Sequence, residues 1–395
     1  MPPLSGPDSR VRLAVVADLL EEGWPSMDLM AEMLMAELRR GDRADVDPSL
    51  LRPKFAPRIT PLVQRRNGRP LLTVDRIAHR YWDYPRWLRR EARADVYHIV
   101  DHSYAHLANE LPAGRVVVTC HDTDAFRTLF LPHQRESSLP RMFVSRVLRG
   151  MQRAAVVACD SQATRAELER HGLVRPDRMT VVPIGVHPSC SPLPNAEADA
   201  IATALVGELA GPELLHVGST IPRKRVDTLL GLLGHVVARR PDVRLLRVGG
   251  PFTSAQDARI EALGLRRHIR VLPFIERPVL AALYRRAALV VLPSEREGFG
   301  LPVVEALACG TPIVASDLPV LREVGGLAAE YCPVGDAALW SACALTLLQE
   351  REQEPDRWAR RRDDGIARAA LFSWDRCATR MREIYLRVAG VEAHT

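Results

Sequence analysis

Lysine is nearly missing from this chain of 395 residues: of 54 basic side chains only Lys54 and Lys224 are lysines, and all the others are arginine. Long hydrophobic runs are missing too. No stretch reaches the roughly 18 consecutive apolar residues that a membrane-spanning helix needs. The opening Met1-Pro-Pro-Leu-Ser-Gly-Pro-Asp has neither the basic nor the apolar region of a secretory leader, so a cytoplasmic location is expected. The seven cysteines (Cys120, Cys159, Cys190, Cys309, Cys332, Cys343, Cys377) form no C-x-x-C pair, which argues against a zinc knuckle or a disulfide framework. No recognised nucleic-acid module accompanies the net charge of +6, so nucleic acid is not expected as a partner.

What is present describes a folded chain. Hydrophobic residues make up 47% and charged residues 26%, and the length suggests two domains of about 150–200 residues each. Short β-branched runs alternate with amphipathic helical stretches, the pattern of parallel sheets flanked by helices. The first series is Arg12–Ala17, Val96–Val100, Val116–Thr119, Val156–Cys159 and Met179–Val182. The second is Glu213–Val217, Val243–Val248, Ile269–Phe274, Ala288–Leu292 and Pro312–Ala315. The expected fold is α/β, with two Rossmann-like, doubly wound parallel-sheet domains. Residues 1–187 form the first, 188–212 a proline-bearing linker, 213–373 the second, and 374–395 a final helix. Residues 41–75, rich in proline and arginine, read as an irregular insertion. Ligands of such sheets bind at the carboxyl ends of the strands, so a site is expected in a cleft between the domains.

Charge is uneven: residues 1–190 hold 28 basic and 23 acidic side chains, so most of the net charge lies there. Near Ile77–Arg90 aromatics interleave with arginines, and Arg141–Arg153 is a basic amphipathic stretch. These segments are candidates for peripheral contact with an anionic membrane, for gripping another polyanion, or for packing within the first domain. His98, His102 and His106 recur every four residues, but His98 falls in a strand, and no metal site is expected.

Four segments carry chemistry. After the buried run ending at Leu292 comes Glu297-Gly-Phe-Gly-Leu-Pro-Val-Val-Glu305. Here a glycine-bearing loop leads into a helix with Pro302 at its start, exposing backbone N–H groups and a positive helix end. Glu297 sits in the loop and Glu305 about a turn into the helix. After Val217, Gly218 opens a turn that brings Arg223 and Lys224 to the next helix N-terminus, an anion site suited to a diphosphate. In so lysine-poor a chain, Lys224 marks a point where a compact ammonium is wanted. His121 follows the run Val116–Cys120 and stands at a strand end, as a site residue or as a hydrogen-bonded structural histidine. Gly23, followed by Trp24 and Pro25, lies in the first βα turn.

The stretch from Glu297 to Glu305, with Ala308-Cys-Gly-Thr-Pro-Ile-Val-Ala-Ser after it, resembles the E-x7-E motif of retaining, nucleotide-sugar-dependent glycosyltransferases of the GT-B fold, family 4 (glycosyl transferases group 1, including mannosyltransferases). Gly218…Arg223-Lys224 is similar to that family's G-x-x-x-x-R-K pattern, with Arg225 where asparagine is common. The resemblance covers most of the chain. It implies two domains facing a central cleft and a nucleoside-diphosphate-sugar as co-substrate, with no cofactor and no metal. Glu297, Gly298, Phe299, Gly300 and Leu301 then hold the donor sugar and Glu305 the ribose, while Arg223 and Lys224 neutralise the leaving diphosphate. His121 lies near the donor sugar and phosphate, with Gly218 and Gly23 as further donor contacts. The base is read around Gly249-Gly250-Pro251 and by Phe274 and Ile275. The implied reaction transfers a sugar to an acceptor hydroxyl of a glycan, a lipid-linked sugar or a small molecule. A nucleotide-sugar epimerase or hydrolase on the same scaffold, and a non-catalytic sugar-nucleotide-binding protein, are the rival readings.

Overall fold

The computed structural model describes residues 10–40, 45–57, 68–130, 138–208 and 211–391. The chain forms two compact units, one of Met1–Gly185 with Trp374–Thr395 and the other of Val186–Ser373. In the first, six strands make one parallel sheet: β1 (Val11–Val16), β2 (Val46–Leu51), β3 (Val96–Ile99), β4 (Val116–Cys120), β5 (Val156–Cys159) and β6 (Met179–Val181), in the order β2-β1-β3-β4-β5-β6. In the second, β7 (Glu213–Val217), β8 (Arg244–Val248), β9 (Ile269–Leu272), β10 (Leu289–Leu292), β11 (Ile313–Ser316) and β12 (Glu330–Cys332) take the order β12-β11-β10-β7-β8-β9. β3, β4, β5, β10 and β11 are buried along their whole length, as strands covered on both faces must be.

The reading of 41–75 as irregular is corrected by β2, which pairs with β1 from Val11↔Val46 to Val16↔Leu51. Pro48 breaks the apolar run that would have revealed it. As an edge strand with a neighbour on one side only, β2 tolerates the proline. Residues 41–44 and 58–67 of that segment lie outside the described residues, and a helix, Gly68–Ala78, follows. The stretch 188–212 is also more than a linker. It carries the helix Ala196–Val206, capped by Asn195, which belongs to the second unit and packs on the helix Arg277–Arg286. Arg285 pairs there with Asp199 at 2.5 Å.

The helix Trp374–Ala389 packs on the first unit against the helix Pro25–Leu38 and β1. Its Tyr385 hydroxyl bonds His98 Nδ1 at 2.7 Å, and its Arg382 Nε donates to Asp45 at 2.7 Å. Among the described residues no helix is long and apolar enough to cross a membrane.

Candidate functional site

In the second unit β7 lies between β8 and β10, so the chain leaves β7 in one direction and resumes at β10 on its other side. The loops that follow these two strands diverge at the point where a doubly wound sheet binds its ligand. Both cation-bearing and glutamate-bearing segments are those loops. Beyond β7, Gly218 N–H donates to Val248 O at 2.9 Å, a single 3-10 turn spans Pro222–Lys224, and the helix Val226–Val237 begins. Arg225 links them in the left-handed region at φ 47°, the one non-glycine residue there among those described. Beyond β10, Gly300 at φ 88° precedes the helix Leu301–Ala308. A Cβ on Gly300 would stand 2.5 Å from Leu321 Cδ2, so both conformation and space require glycine.

The two loops are tied together. Lys224 Nζ donates to Glu297 Oε1 at 2.6 Å, and Arg223 Nη1 lies 3.5 Å from Glu297 Oε2 while donating to Arg296 O at 2.9 Å. Glu295 N–H donates to Arg223 O at 2.7 Å. The side chains of Arg223, Lys224 and Glu297 are 21%, 12% and 8% exposed, so this is a partly buried charged notch and not a solvated run of arginines. Glu305, half-buried on the helix, accepts the Tyr284 hydroxyl at 2.8 Å. Burial pushes its carboxyl above the ordinary value, against the opposing pull of that bond and of Arg277. Phe299 is buried with its ring edge-on to Phe372, so its side chain anchors the loop from below. Leu301 opens the helix, half-buried. Phe274 is 65% exposed beyond β9 with Ile275 half-buried beside it, a free aromatic face near the glycine turn Gly249-Gly250.

Two residues beneath this notch escaped sequence reasoning. Arg247 is fully buried at the end of β8, and its guanidinium donates to Gly250 O and, at 3.0 Å, to Gly218 O while covering the Phe252 ring at 4.7 Å. Burial pulls it down to about 10, still charged at neutral pH. His216 is fully buried in β7, and neither ring nitrogen has a hydrogen-bond partner among the described residues. Burial, with Arg247 and Lys224 nearby, drives it down to about 3 and keeps it neutral. The available signal was a charged or polar side chain near the end of a short buried strand, two residues ahead of a glycine.

His121 and Gly23 belong to the first unit. His121 Nδ1 meets Asp160 Oδ2 at 2.5 Å and Nε2 meets Val100 O at 2.7 Å. Both partners are acceptors, so both nitrogens donate and the ring is an imidazolium. Burial opposes that charge, but Asp160, helped by Asp101 and the Val100 carbonyl, raises the group to about 9. Gly23 closes a short turn at φ 68°, followed by Trp24, 53% exposed. Asp18, also beyond β1, is buried with Arg52 Nη2 3.8 Å from its Oδ1, and burial together with Asp101 and Asp28 raises it to about 7 against the pull of Arg52. The three spaced histidines point to different partners: His98 to Thr119 and Tyr385, His106 to Arg80 O, and His102 to the His121 amide. Among the described residues no group of three or more His, Cys, Asp or Glu is placed to hold a metal ion.

Residues 31–189 match the model of Glycosyltransferase Family 4 and residues 208–361 that of Glycosyl transferases group 1. A D-inositol 3-phosphate glycosyltransferase of Thermobispora bispora is 34% identical over 225 residues, 53% of this chain and 50% of that one. The O-antigen chain mannosyltransferase B of Escherichia coli is 27% identical over 304 residues, 76% of each chain. This chain spans about half the length of several of the D-inositol 3-phosphate glycosyltransferases it matches. Among solved structures, a sucrose-phosphate synthase from Thermosynechococcus elongatus superposes with a TM-score of 0.71 at 20% identity, covering 96% of this chain and 100% of that one. Anabaena HepE in complex with UDP and glucose gives 0.68 at 18%, covering 95% and 99%. With a family model on each half and the same fold in the solved neighbours, the chain belongs to the GT-B glycosyltransferases of family 4, glycosyl transferases group 1.

Proposed function

We propose that this protein is a retaining glycosyltransferase that moves a sugar from a nucleoside-diphosphate-sugar to an acceptor hydroxyl. The observation that carries the reading is the contact of Lys224 and Arg223 with Glu297 at the β7/β10 switch point, which puts two cations and one carboxylate within a single ligand's reach. The cations receive the diphosphate, Glu297 and the amides of Gly298–Gly300 hold the sugar hydroxyls, Glu305 holds the ribose and Phe274 with Ile275 flanks the base. In the transfer step the bond from the anomeric carbon to the diphosphate oxygen breaks as the acceptor oxygen attacks on the same face, and the acceptor proton passes to the departing phosphate. Charge growing on that phosphate is met by Arg223 and Lys224, the electrostatic contribution that is usually largest. With two cations in that role the reaction needs no cofactor, and chelator leaves the rate unchanged. His121, already donating through both nitrogens, acts as a fixed positive charge and not as a base.

The acceptor is a hydroxyl of a glycan, a lipid-linked sugar or a small molecule. The exposed Trp82 and Ile77 among arginines support peripheral contact with an anionic membrane surface. The test is a panel of UDP-, GDP- and ADP-sugars in a thermal-shift assay, in which a ligand at 100 times its dissociation constant stabilises the fold by about 2.7 kcal/mol. Release of nucleoside diphosphate is then followed with and without a lipid and glycan extract. Acceptor-dependent release with a retained anomer supports transfer, and Lys224→Ala lowers it by about 100-fold or more. Release of free sugar without acceptor points to a hydrolase or epimerase. Binding without turnover points to a sensor.

A further inference from the structure

The second unit holds two kinds of buried arginine environment. At the far end of β7, Glu213 is fully buried and answered by Arg244 at 2.8 Å and Arg286 at 2.6 Å, an ordinary compensated cluster. Arg247 is equally buried, but among the described residues no carboxylate pairs with it. Its partners are two backbone carbonyls and an aromatic face. A cation kept dry without a counter-ion is costly, and it lies beneath the turn that carries the proposed anion site.

The geometry of that turn shows what the charge does. Gly218 C=O points inward to Arg247, and the chain contains no cis peptide among the described residues. In a planar trans unit the C=O and the following N–H point in opposite directions. Holding the Gly218 carbonyl inward therefore turns the Ser219 N–H the opposite way, away from Arg247. Gly249 makes the arrangement possible, since a Cβ there would stand 2.1 Å from Gly218 O. The His216 ring also lies against Gly218, its Cε1 3.3 Å from where a Cβ would be.

We propose that Arg247 is a positioning residue for diphosphate recognition: it locks the Gly218 and Gly250 carbonyls inward, so that the Ser219 N–H faces a phosphate oxygen of the nucleoside diphosphate, whose negative charge in turn compensates the buried guanidinium. This rests on the donor-binding reading above.

The experiment titrates the intact 395-residue chain with UDP, GDP and ADP, with the matching nucleosides and with inorganic pyrophosphate. It compares wild type with Arg247→Met, Arg247→Lys and Lys224→Ala. Arg247→Met is expected to weaken the preferred diphosphate and pyrophosphate at least tenfold while nucleoside affinity stays within twofold, and Arg247→Lys to restore part of the loss. Equal weakening of nucleoside and diphosphate, or diphosphate binding as tight as wild type, overturns the assignment. Should Arg247→Met not fold, Ser219→Pro removes the N–H while its ring also fixes the local φ, and unchanged diphosphate affinity there is equally decisive against it. Wild type that binds no diphosphate overturns the donor-binding reading and this inference with it. Wild type that binds, with Lys224→Ala weakened and Arg247→Met unaffected, leaves that reading standing and removes this inference only.

Discussion

Replacing Asp160 with asparagine takes away the negative half of the His121–Asp160 contact while keeping its shape. In the native protein His121 holds its proton up to about pH 9, and in the unfolded chain it loses it near 6.5. A histidine raised in this way contributes stability that is fully present below pH 6.5 and is lost as pH rises toward 9. The difference is worth on the order of 3 kcal/mol, or very roughly 6–12 °C in melting temperature for a unit of this size. Other titrating groups act elsewhere: Asp18, raised to about 7, loses its contribution as pH climbs toward neutrality. His98, His106 and His216, each driven down to about 3, cost stability only as pH falls below 6.5. Cys343, held below its ordinary value by the Cys332 thiol, is common to both proteins and cancels in the comparison. Burial raises Cys120, Cys159 and Cys377 in both proteins, so both curves decline in alkali, and the informative quantity is the difference: the melting-temperature gap between wild type and Asp160→Asn should shrink as pH rises from 6.5 to 9. Parallel curves would refute the imidazolium assignment.

Two further outcomes test the loops of the second unit. Arg225→Gly relieves a left-handed backbone that costs a side-chain-bearing residue about 1 kcal/mol. The pairs it loses, with an Asp227 side chain 65% exposed at 2.7 Å and a Glu295 side chain 42% exposed at 4.0 Å, are worth less than that. Melting temperature should rise by about 1–3 °C with diphosphate affinity unchanged, and a fall would show that the guanidinium matters more than the backbone. Gly249→Ala drives a Cβ into Gly218 O, whereas at Gly250 a Cβ meets nothing within 4 Å. Both variants carry the cost of positive φ, so Gly249→Ala should lose markedly more melting temperature and diphosphate affinity than Gly250→Ala. Equal losses in the two would mean that the close approach of the turns is unimportant.

The strands of both sheets were legible because parallel strands covered on two faces are nearly continuous in β-branched residues. β2 was hidden because an edge strand needs only a partial apolar face and accepts Pro48. β12, three residues long, offers too little pattern to separate from a loop. Arg223, Lys224, Glu297 and Glu305 were legible as motif residues because loops at strand ends sit close to their own sequence neighbours. Asp160 and Arg247 were not. Their roles come from side chains meeting across neighbouring strands, His121 just past β4 with Asp160 just past β5, and Arg247 from β8 with the turn after β7, and nothing in linear spacing encodes those approaches.

The scarcity of lysine gives the contact between Lys224 and Glu297 a practical consequence. Amine-selective reagents find two side chains here, Lys54 exposed and Lys224 clamped to a carboxylate 2.6 Å away. Reductive methylation with a carbon-13 label would thus furnish a nearly silent spectrum with one resonance inside the notch. Its chemical shift would report, in a molecule of this size and without any substitution, the moment at which that ammonium exchanges its carboxylate for another anion.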